Sequence, residues 1–499
     1  MRVWRRPEAW VFSILLVSYA FFWHSRDWNS ASRLMLTYAL VDRGTITLDG
    51  LDDQTGDKAR FRGHYYTDKL PGYSLLAAGP YALAKVVGRL PDHPVNRRGF
   101  AYWPADYWTT LGTSGLLTAM TGVVLVGLAR TLGCGPRRSA LVGLAYGLAT
   151  PAYAYATMSY GHQASAFALL LSFALLWRPE VPRPSPRMVL AGFLAAYAAV
   201  IELQVGPVSA ILGVYLLAQV AGGRRRINGL FEFGVGAIVP TLVLLGYNLL
   251  AFGSPWDMGY FHHATAIFAK VHTAGNPLGL GAPDWSRARD LLLGGHRGLL
   301  FYAPIVALAV PGWAVLVSRR FWGMAFVSAS GVAAVFIVNL SYPEWTGGWS
   351  TGPRFLVPLL PFAMLPVAGL LGVGGRWATL AAVLLTVGGA TLMLLFQGVG
   401  ARIPNEIEDP LFDAVIPLWR GDPLPGWATG GRFTRSAFGL IFPGVIDRLP
   451  AGRLWMQFLP LVALQALASA AMVMVAGRIQ DARPRRSPPP PGASDAAPP

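Results

Sequence analysis

The sequence predicts an all-α polytopic membrane protein with about twelve transmembrane helices, and three observations point there. The first is composition: 54% of the 499 residues are hydrophobic, only 13% are charged, and the mean hydropathy is +0.43. Such a chain is too apolar for a soluble protein and too long for a single core. The second is a series of apolar stretches near the ~20 residues that a helix needs to cross hydrocarbon. They cover 9–24, 107–129, 139–158, 163–177, 188–204, 206–222, 230–252, 298–316, 322–340, 354–372, 377–398 and 454–476. The third is arginine. Between these stretches lie Arg137-Arg138, Arg178 with Arg183 and Arg187, Arg224-Arg225-Arg226, Arg319-Arg320, Arg376, and the group Arg478, Arg483, Arg485 and Arg486. With Arg2, Arg5 and Arg6 inside, every cluster also falls inside, as the positive-inside rule requires. The formal charge of +16 is thus a topology signal, not a nucleic-acid footprint.

The N-terminal MRVWRRPEAWVFSILLVSYAFFWH has the basic start and apolar run of a signal peptide but no small-x-small cleavage site, so it reads as an uncleaved first span. Gly72 to Val87 is apolar but short, and it carries Pro80 and Lys85. Were it a span, every later arginine cluster would move outside, so it reads as a helix lying in the outer interface. The expected organisation is one transmembrane domain over 1–476, with outer loops at 25–106, 253–295 and 399–452. A Pro-rich cytoplasmic tail over 477–499 cannot bury apolar surface and is expected to be disordered. All eight histidines map to the outer side or its edge, and Cys134, the single cysteine, rules out an internal disulfide and a multi-thiolate metal site. No P-loop, GxGxxG, HExxH or GxSxG is present.

The densest polar segment is DRGTITLDGLDDQTGDKARFRGHYYTDKLPG, residues 42–72, with six aspartates and two of the chain's four lysines. Upstream, WNSASRLMLTYALVDRG reads as a helix capped by Asn29 and stopped by Gly44, with Asn29 and Arg33 on one face. TITLDG and GHYY read as two extended pieces joined by the Asp-rich turn, completing a mixed helix and hairpin loop. Asp57 or Asp68 can act as general base, while Lys69 and an arginine neutralise a phosphate leaving group. The plain alternative is a solvated turn whose aspartates only cap.

WNSASRL with its helix, GTITLD, GDKA and GHYYTDKLPG resemble the first periplasmic loop of GT-C-fold glycosyltransferases, the group of the aminoarabinose transferases and protein O-mannosyltransferases. YNLLAFGSPWDMGY, GGHRGLLFYAPIVALAVPG and EWTGGWSTGPRFLVPLLPF are similar to bacterial relatives of that group. The resemblance implies a GT-C-like fold and transfer of a sugar from a polyprenyl-phosphate donor to an extracytoplasmic lipid, glycan or protein acceptor at the bacterial inner membrane, both termini being cytoplasmic. Lys69-Leu70-Pro71-Gly72 stands where the family has a Lys-Pro-Pro element. Where the family places an acid at the start of the first-loop helix, this chain has Asn29, with Asp27 just before it. The expected catalytic order is therefore Asp57, then Asp27, then Asp68.

The donor phosphate is assigned to Lys69, Arg33 and Arg354. Sugar or acceptor contacts are assigned to Asn29, His64, Tyr65, Tyr66, Glu344 and His162. Arg354 can instead snorkel, Glu344 either orients Arg354 or is a plain loop carboxylate, and His162 either reaches a cavity or makes a structural hydrogen bond. Trp345 and Trp349 can stack on a sugar ring. Glu202, the only acid in its span, is a functional candidate because unpaired burial there is costly. His262-His263 lacks metal-ligand spacing, and no metal or other cofactor is assigned. Two other classes remain open. A transporter or flippase of a lipid-linked glycan would place charges along a midplane path. An O-antigen ligase or polymerase would carry its large loop late in the chain.

Overall fold

In the computed structural model, residues 6–481 are described apart from 23, 25, 94–103, 178–185, 267, 268, 270, 273–275, 277, 278, 421 and 423–450. Most of the tail, most of the loop over 399–452, Arg178, Arg183 and Lys270 lie outside the described residues. The chain is a helical membrane protein. Its long helices are α1 (Pro7–Ala20), α4 (Pro104–Thr131), α5 (Pro136–Leu148), α6 (His162–Trp177), α7 (Pro186–Ile201), α8 (Leu203–Ala221) and α9 (Asn228–Phe252). They continue with α10 (Pro304–Ser318), α11 (Trp322–Leu340), α12 (Arg354–Val373), α13 (Arg376–Val399) and α14 (Trp455–Val475). Seven of these are long and apolar enough to cross a membrane, and four shorter apolar helices accompany them. The stretch read as a span over 139–158 instead breaks after α5 at Ala149, where Thr150 and Pro151 start a separate turn.

The bundle sorts its polar groups to two ends. At one end Arg130 pairs with Glu8 at 2.8 Å, Arg138 donates to the Leu371 carbonyl and Arg319 to that of Leu132. At the other end lie the start of α6, the end of α7 and the start of α12, together with the first loop. That loop holds α2 (Trp28–Arg43), the antiparallel strands β1 (Lys58–Phe61) and β2 (His64–Thr67), and α3 (Gly72–Gly88). It has a small core of its own, in which Leu34, Met35, Tyr38, Leu48, Ala59 and Tyr66 pack against Tyr247 and Phe252 of α9.

Local chemistry sets these elements. Gly44 ends α2 in the left-handed conformation, as its sequence suggests. The N-terminal cap, however, is Asp27: its carboxylate accepts the Ser30 N–H at 2.8 Å and the Ser30 hydroxyl answers the Asp27 N–H at 2.9 Å. Asn29 therefore sits two positions inside, in the first turn, where its side-chain oxygen accepts from Arg33. The extended pieces also differ from expectation. The hairpin turns at Arg62-Gly63, both with positive φ as a type I′ turn needs, and the TITLDG stretch stays outside the ladder. In α3, Tyr73, Ala77 and Tyr81 are buried while Leu83, Val86 and Val87 are exposed, an amphipathic pattern.

Ionic contacts tie the loop to the bundle. Arg26 lies 3.1 Å from Asp106 of α4, and Asp106 also accepts from the Tyr38 hydroxyl. Asp42 at the end of α2 takes Lys85 at 2.5 Å and Tyr81 at 2.7 Å, which explains a lysine late in an apolar helix. Because Arg26 and Asp106 are both buried, Arg26→Ala strands a carboxylate. It is expected to cost about 3–5 kcal/mol, read as a lowered Tm of the detergent-solubilised protein, whereas Arg43→Ala on the exposed edge leaves Tm nearly unchanged.

Candidate functional site

The hairpin register places the first pair of site residues. Lys58 pairs with Thr67, so Asp57 and Asp68 face each other at the open end of the ladder. Both are buried. Lys69 turns back between them, with Nζ 3.0 Å from Asp57 and 2.7 Å from Asp68. Ser32 of α2 donates to Asp68 at 3.1 Å and shares a 2.7 Å hydrogen bond with Thr67. From the second loop, residues 263–265 lie along β1: the Ala264 N–H donates to the Lys58 carbonyl at 2.9 Å and the Thr265 hydroxyl to that of Gly56 at 2.6 Å. This brings His263 Nδ1 to 3.6 Å from Asp68.

The two carboxyls are pushed apart in acidity. Burial, helped by the charge of Asp68, lifts Asp57 above the ordinary carboxylate range against the pull of Lys69. For Asp68, burial is outweighed by Lys69, His263 and the Ser32 hydrogen bond, so its carboxyl falls below that range. Lys69 is raised because the two aspartates outweigh its burial, and burial brings His263 down to about 4.

A second cluster adjoins the first through Arg33. Its guanidinium lies 3.6 Å from Glu202, just past the end of α7, and its charge reaches Lys69. Glu202 sits 2.8 Å from Nδ1 of His162, the first residue of α6. Beyond His162, the Arg354 guanidinium lies 5.7 Å from the centre of the Tyr160 ring and 4.8 Å from that of Phe355. Among the described residues Arg354 makes no hydrogen bond or ion pair, and its Nε is sealed from solvent. It is within electrostatic reach of Asp27 and Asp57, and Tyr342 feels both Arg354 and Lys69.

Several assigned residues come together and others do not. Asp57, Asp68, Lys69, Arg33, Arg354, His162 and Asn29 belong to this one region. Asp27 borders it but is committed: besides capping α2 it accepts from the Tyr160 hydroxyl and lies 3.8 Å from Arg402. Burial would raise its carboxyl, but Arg402 and those hydrogen bonds hold it below the usual range. His64 is exposed on the hairpin and paired with Asp49 at 2.6 Å. Tyr65 lies under Lys58 and Arg60, and Tyr66 is buried against Phe252. Glu344 is exposed and does not orient Arg354. Sequence reasoning missed Tyr342 and Arg402 and weighed His263 only as a metal ligand; all three come from distant loops. Among the described residues, no three His, Cys, Asp or Glu side chains are grouped to hold a metal ion.

No family model matches the sequence, and no curated protein matches it. Among solved structures the chain is similar to ArnT from Cupriavidus metallidurans in the apo state, with a TM-score of 0.48 and 16% identity over 93% of this chain and 74% of that one. ArnT bound to undecaprenyl phosphate gives 0.45 and 14% over 93% and 75%. The archaeal oligosaccharyltransferase AglB from Archaeoglobus fulgidus, in complex with an inhibitory peptide and a dolichol-phosphate, gives 0.44 and 12% over 83% of this chain and 58% of that one.

Lys69→Met leaves two buried carboxylates facing each other with no ammonium between them. Their shared proton affinity rises above the unfolded value of ~3.9, so the folded variant holds an extra proton and loses stability as pH climbs through the raised value. The expected Tm deficit against wild type is small near pH 4 and grows towards pH 8, where it corresponds to about 3–5 kcal/mol. A deficit that is flat across that range contradicts the charge assignment.

Proposed function

We propose that this protein is a membrane glycosyltransferase that moves a sugar from a polyprenyl-phosphate donor to an acceptor at the membrane surface. The observation that carries the reading is the Arg354 guanidinium, which has no hydrogen-bond or ion-pair partner among the described residues, in the region that also holds Lys69 and Arg33. A buried or half-buried guanidinium without a partner suits a phosphate, which accepts from it in bidentate fashion. The lipid phosphates in two of the structures above belong to those proteins; for this chain the reading rests on the cation site and on the first-loop resemblance.

In this reading the lipid tail stays in the bilayer while its phosphate meets Lys69, Arg33 and Arg354. When the bond from the anomeric carbon to the phosphate oxygen breaks, the electron pair leaves on the phosphate and these cations stabilise it. Asp57 and Asp68 hold the ammonium of Lys69 in place, and the rings of Tyr342 and Phe355, packed edge to face, keep the site partly dry. In this reading the arginine-rich end faces the cytoplasm and the site faces out, as the positive-inside rule asks, and the membrane is the bacterial inner membrane that the first-loop resemblance implies.

Purified protein supplied with radiolabelled polyprenyl-phosphate sugars is expected to release or transfer label. Lys69→Ala and Arg354→Ala should each lose about 10²–10³-fold in rate, and Asp57→Asn should lose activity through a displaced Lys69. If Lys69→Ala and Asp57→Asn both match wild type, the site assignment is wrong. Passage of labelled lipid across vesicles without headgroup transfer would favour a flippase instead.

A further inference from the structure

The reaction proposed above needs a group to take the acceptor's proton, and none of the three aspartates suits that task. Asp57 and Asp68 hold Lys69, while Asp27 caps α2 and meets Tyr160 and Arg402. Asn29, at the place where the resembled family carries its acid, accepts from Arg33 and as an amide is no base.

We propose that Glu202 and His162 form a carboxylate–imidazole dyad in which His162 Nε2 is the general base for the acceptor nucleophile. The inference rests on the glycosyl-transfer reading and adds a catalytic residue to it. A carboxylate can only accept, so Glu202, 2.8 Å from Nδ1, fixes the hydrogen on that nitrogen. The lone pair of the neutral ring is then on Nε2. That atom is buried and has no hydrogen-bond partner among the described residues, in a side chain only 3% exposed. Buried polar atoms are nearly always satisfied, and an orphan at a charged site points to a ligand group that completes it.

The dyad is built, not incidental. Glu202 also accepts from Ser165 at 3.3 Å and from Gln204 at 3.4 Å, and Arg33 balances its charge at 3.6 Å. The imidazole is stacked on Tyr160, with ring centroids 5.6 Å apart, and met edge-on by Tyr155 and Phe355. Gly161 leaves the space that the carboxylate fills, since a Cβ there would lie 2.7 Å from Glu202 Oε1. The charged and titratable groups facing the ring are Glu202 beyond α7, Arg33 of α2, Arg354 at the start of α12, Tyr155 and Tyr160.

The step balances as follows. The acceptor O–H or N–H proton passes to Nε2, the freed electron pair bonds to the anomeric carbon, and the carbon–oxygen bond to phosphate breaks with its pair on the phosphate. Glu202 offsets the imidazolium that results, and the proton is later lost to water.

The test uses the full chain in nanodiscs with a radiolabelled polyprenyl-phosphate sugar. His162→Gln is expected to lower kcat by about 10²–10⁴-fold, to leave decaprenyl phosphate binding unchanged, and to abolish the rise of rate with pH. Glu202→Gln, a positioning variant, should shift that rise and lower kcat with little effect on KM. An active wild type whose kcat and pH profile survive His162→Gln overturns the proposal, and a pH limb lost only in Asp57→Asn moves the base there. Independently of turnover, ¹⁵N NMR of the substrate-free protein should show His162 protonated on Nδ1 and not on Nε2, with that tautomer lost in Glu202→Gln. An Nε2–H tautomer also overturns the assignment. A wild type that binds decaprenyl phosphate but transfers no sugar sinks the transferase reading and the catalytic step with it, while the NMR still reports the dyad.

Discussion

The ammonium of Lys69 between Asp57 and Asp68 is the contact on which the candidate site depends. The hairpin forces the two acids to face each other, and two buried carboxylates cannot both stay ionised without a cation between them. Lys69 stands two residues past the end of β2, next to Asp68, so the charge pattern and the β-register have to agree. A buried ion triad of this kind is weak evidence for stability in itself, because desolvation consumes much of the attraction. Its effect is on arrangement: with the triad formed, Ser32 and Thr67 lock the hairpin to α2, and residues 263–265 can lie along β1.

Much of this was legible because charge is scarce in the chain. Where only 13% of residues are charged, a polar run between apolar stretches has few reasons to exist, and Asp57, Lys69 and Arg354 do fall in one region. Individual partners were less legible. Asp27 and Asn29 are both good cap residues two positions apart, each with a serine three residues on, so neither propensity nor spacing chooses between them; in the fold Ser30 closes the capping box on Asp27 while Ser32 is turned to Thr67 and Asp68. His64, Tyr65 and Tyr66 could not all face one ligand, since side chains alternate along a strand. Alternation turns Tyr65 away from His64 and Tyr66, and of the two that share a face Tyr66 packs into the small core while His64, beside the turn, stays exposed and paired with Asp49. Gly63 between ARF and HYY was the available signal for the true turn.

The pairing of Glu202 illustrates a different limit. A lone acid near a span end announces a partner but not which one, and His162 is forty residues away in sequence. Only the antiparallel packing of α6 against α7 brings the start of one beside the end of the other. Similarly, Arg402 and Tyr342 reach the site from loops whose local sequence carries no periodic signal.

These pieces converge on one helix. Asn29, Ser32 and Arg33 stand at i, i+3 and i+4, so they share a face of α2. Through Ser32 that face holds Asp68 and with it the Lys69 triad; through Arg33 it holds Glu202 and with it His162. A single residue of slip in α2 would rotate the face by about 100° and break both links at once. The cap at Asp27 is what prevents that slip, because the capping box fixes where the helix begins. Asp27 thus has a structural role as the cap of α2. In setting the register of α2, it aligns the Lys69 triad with the His162–Glu202 pair across the width of one helix.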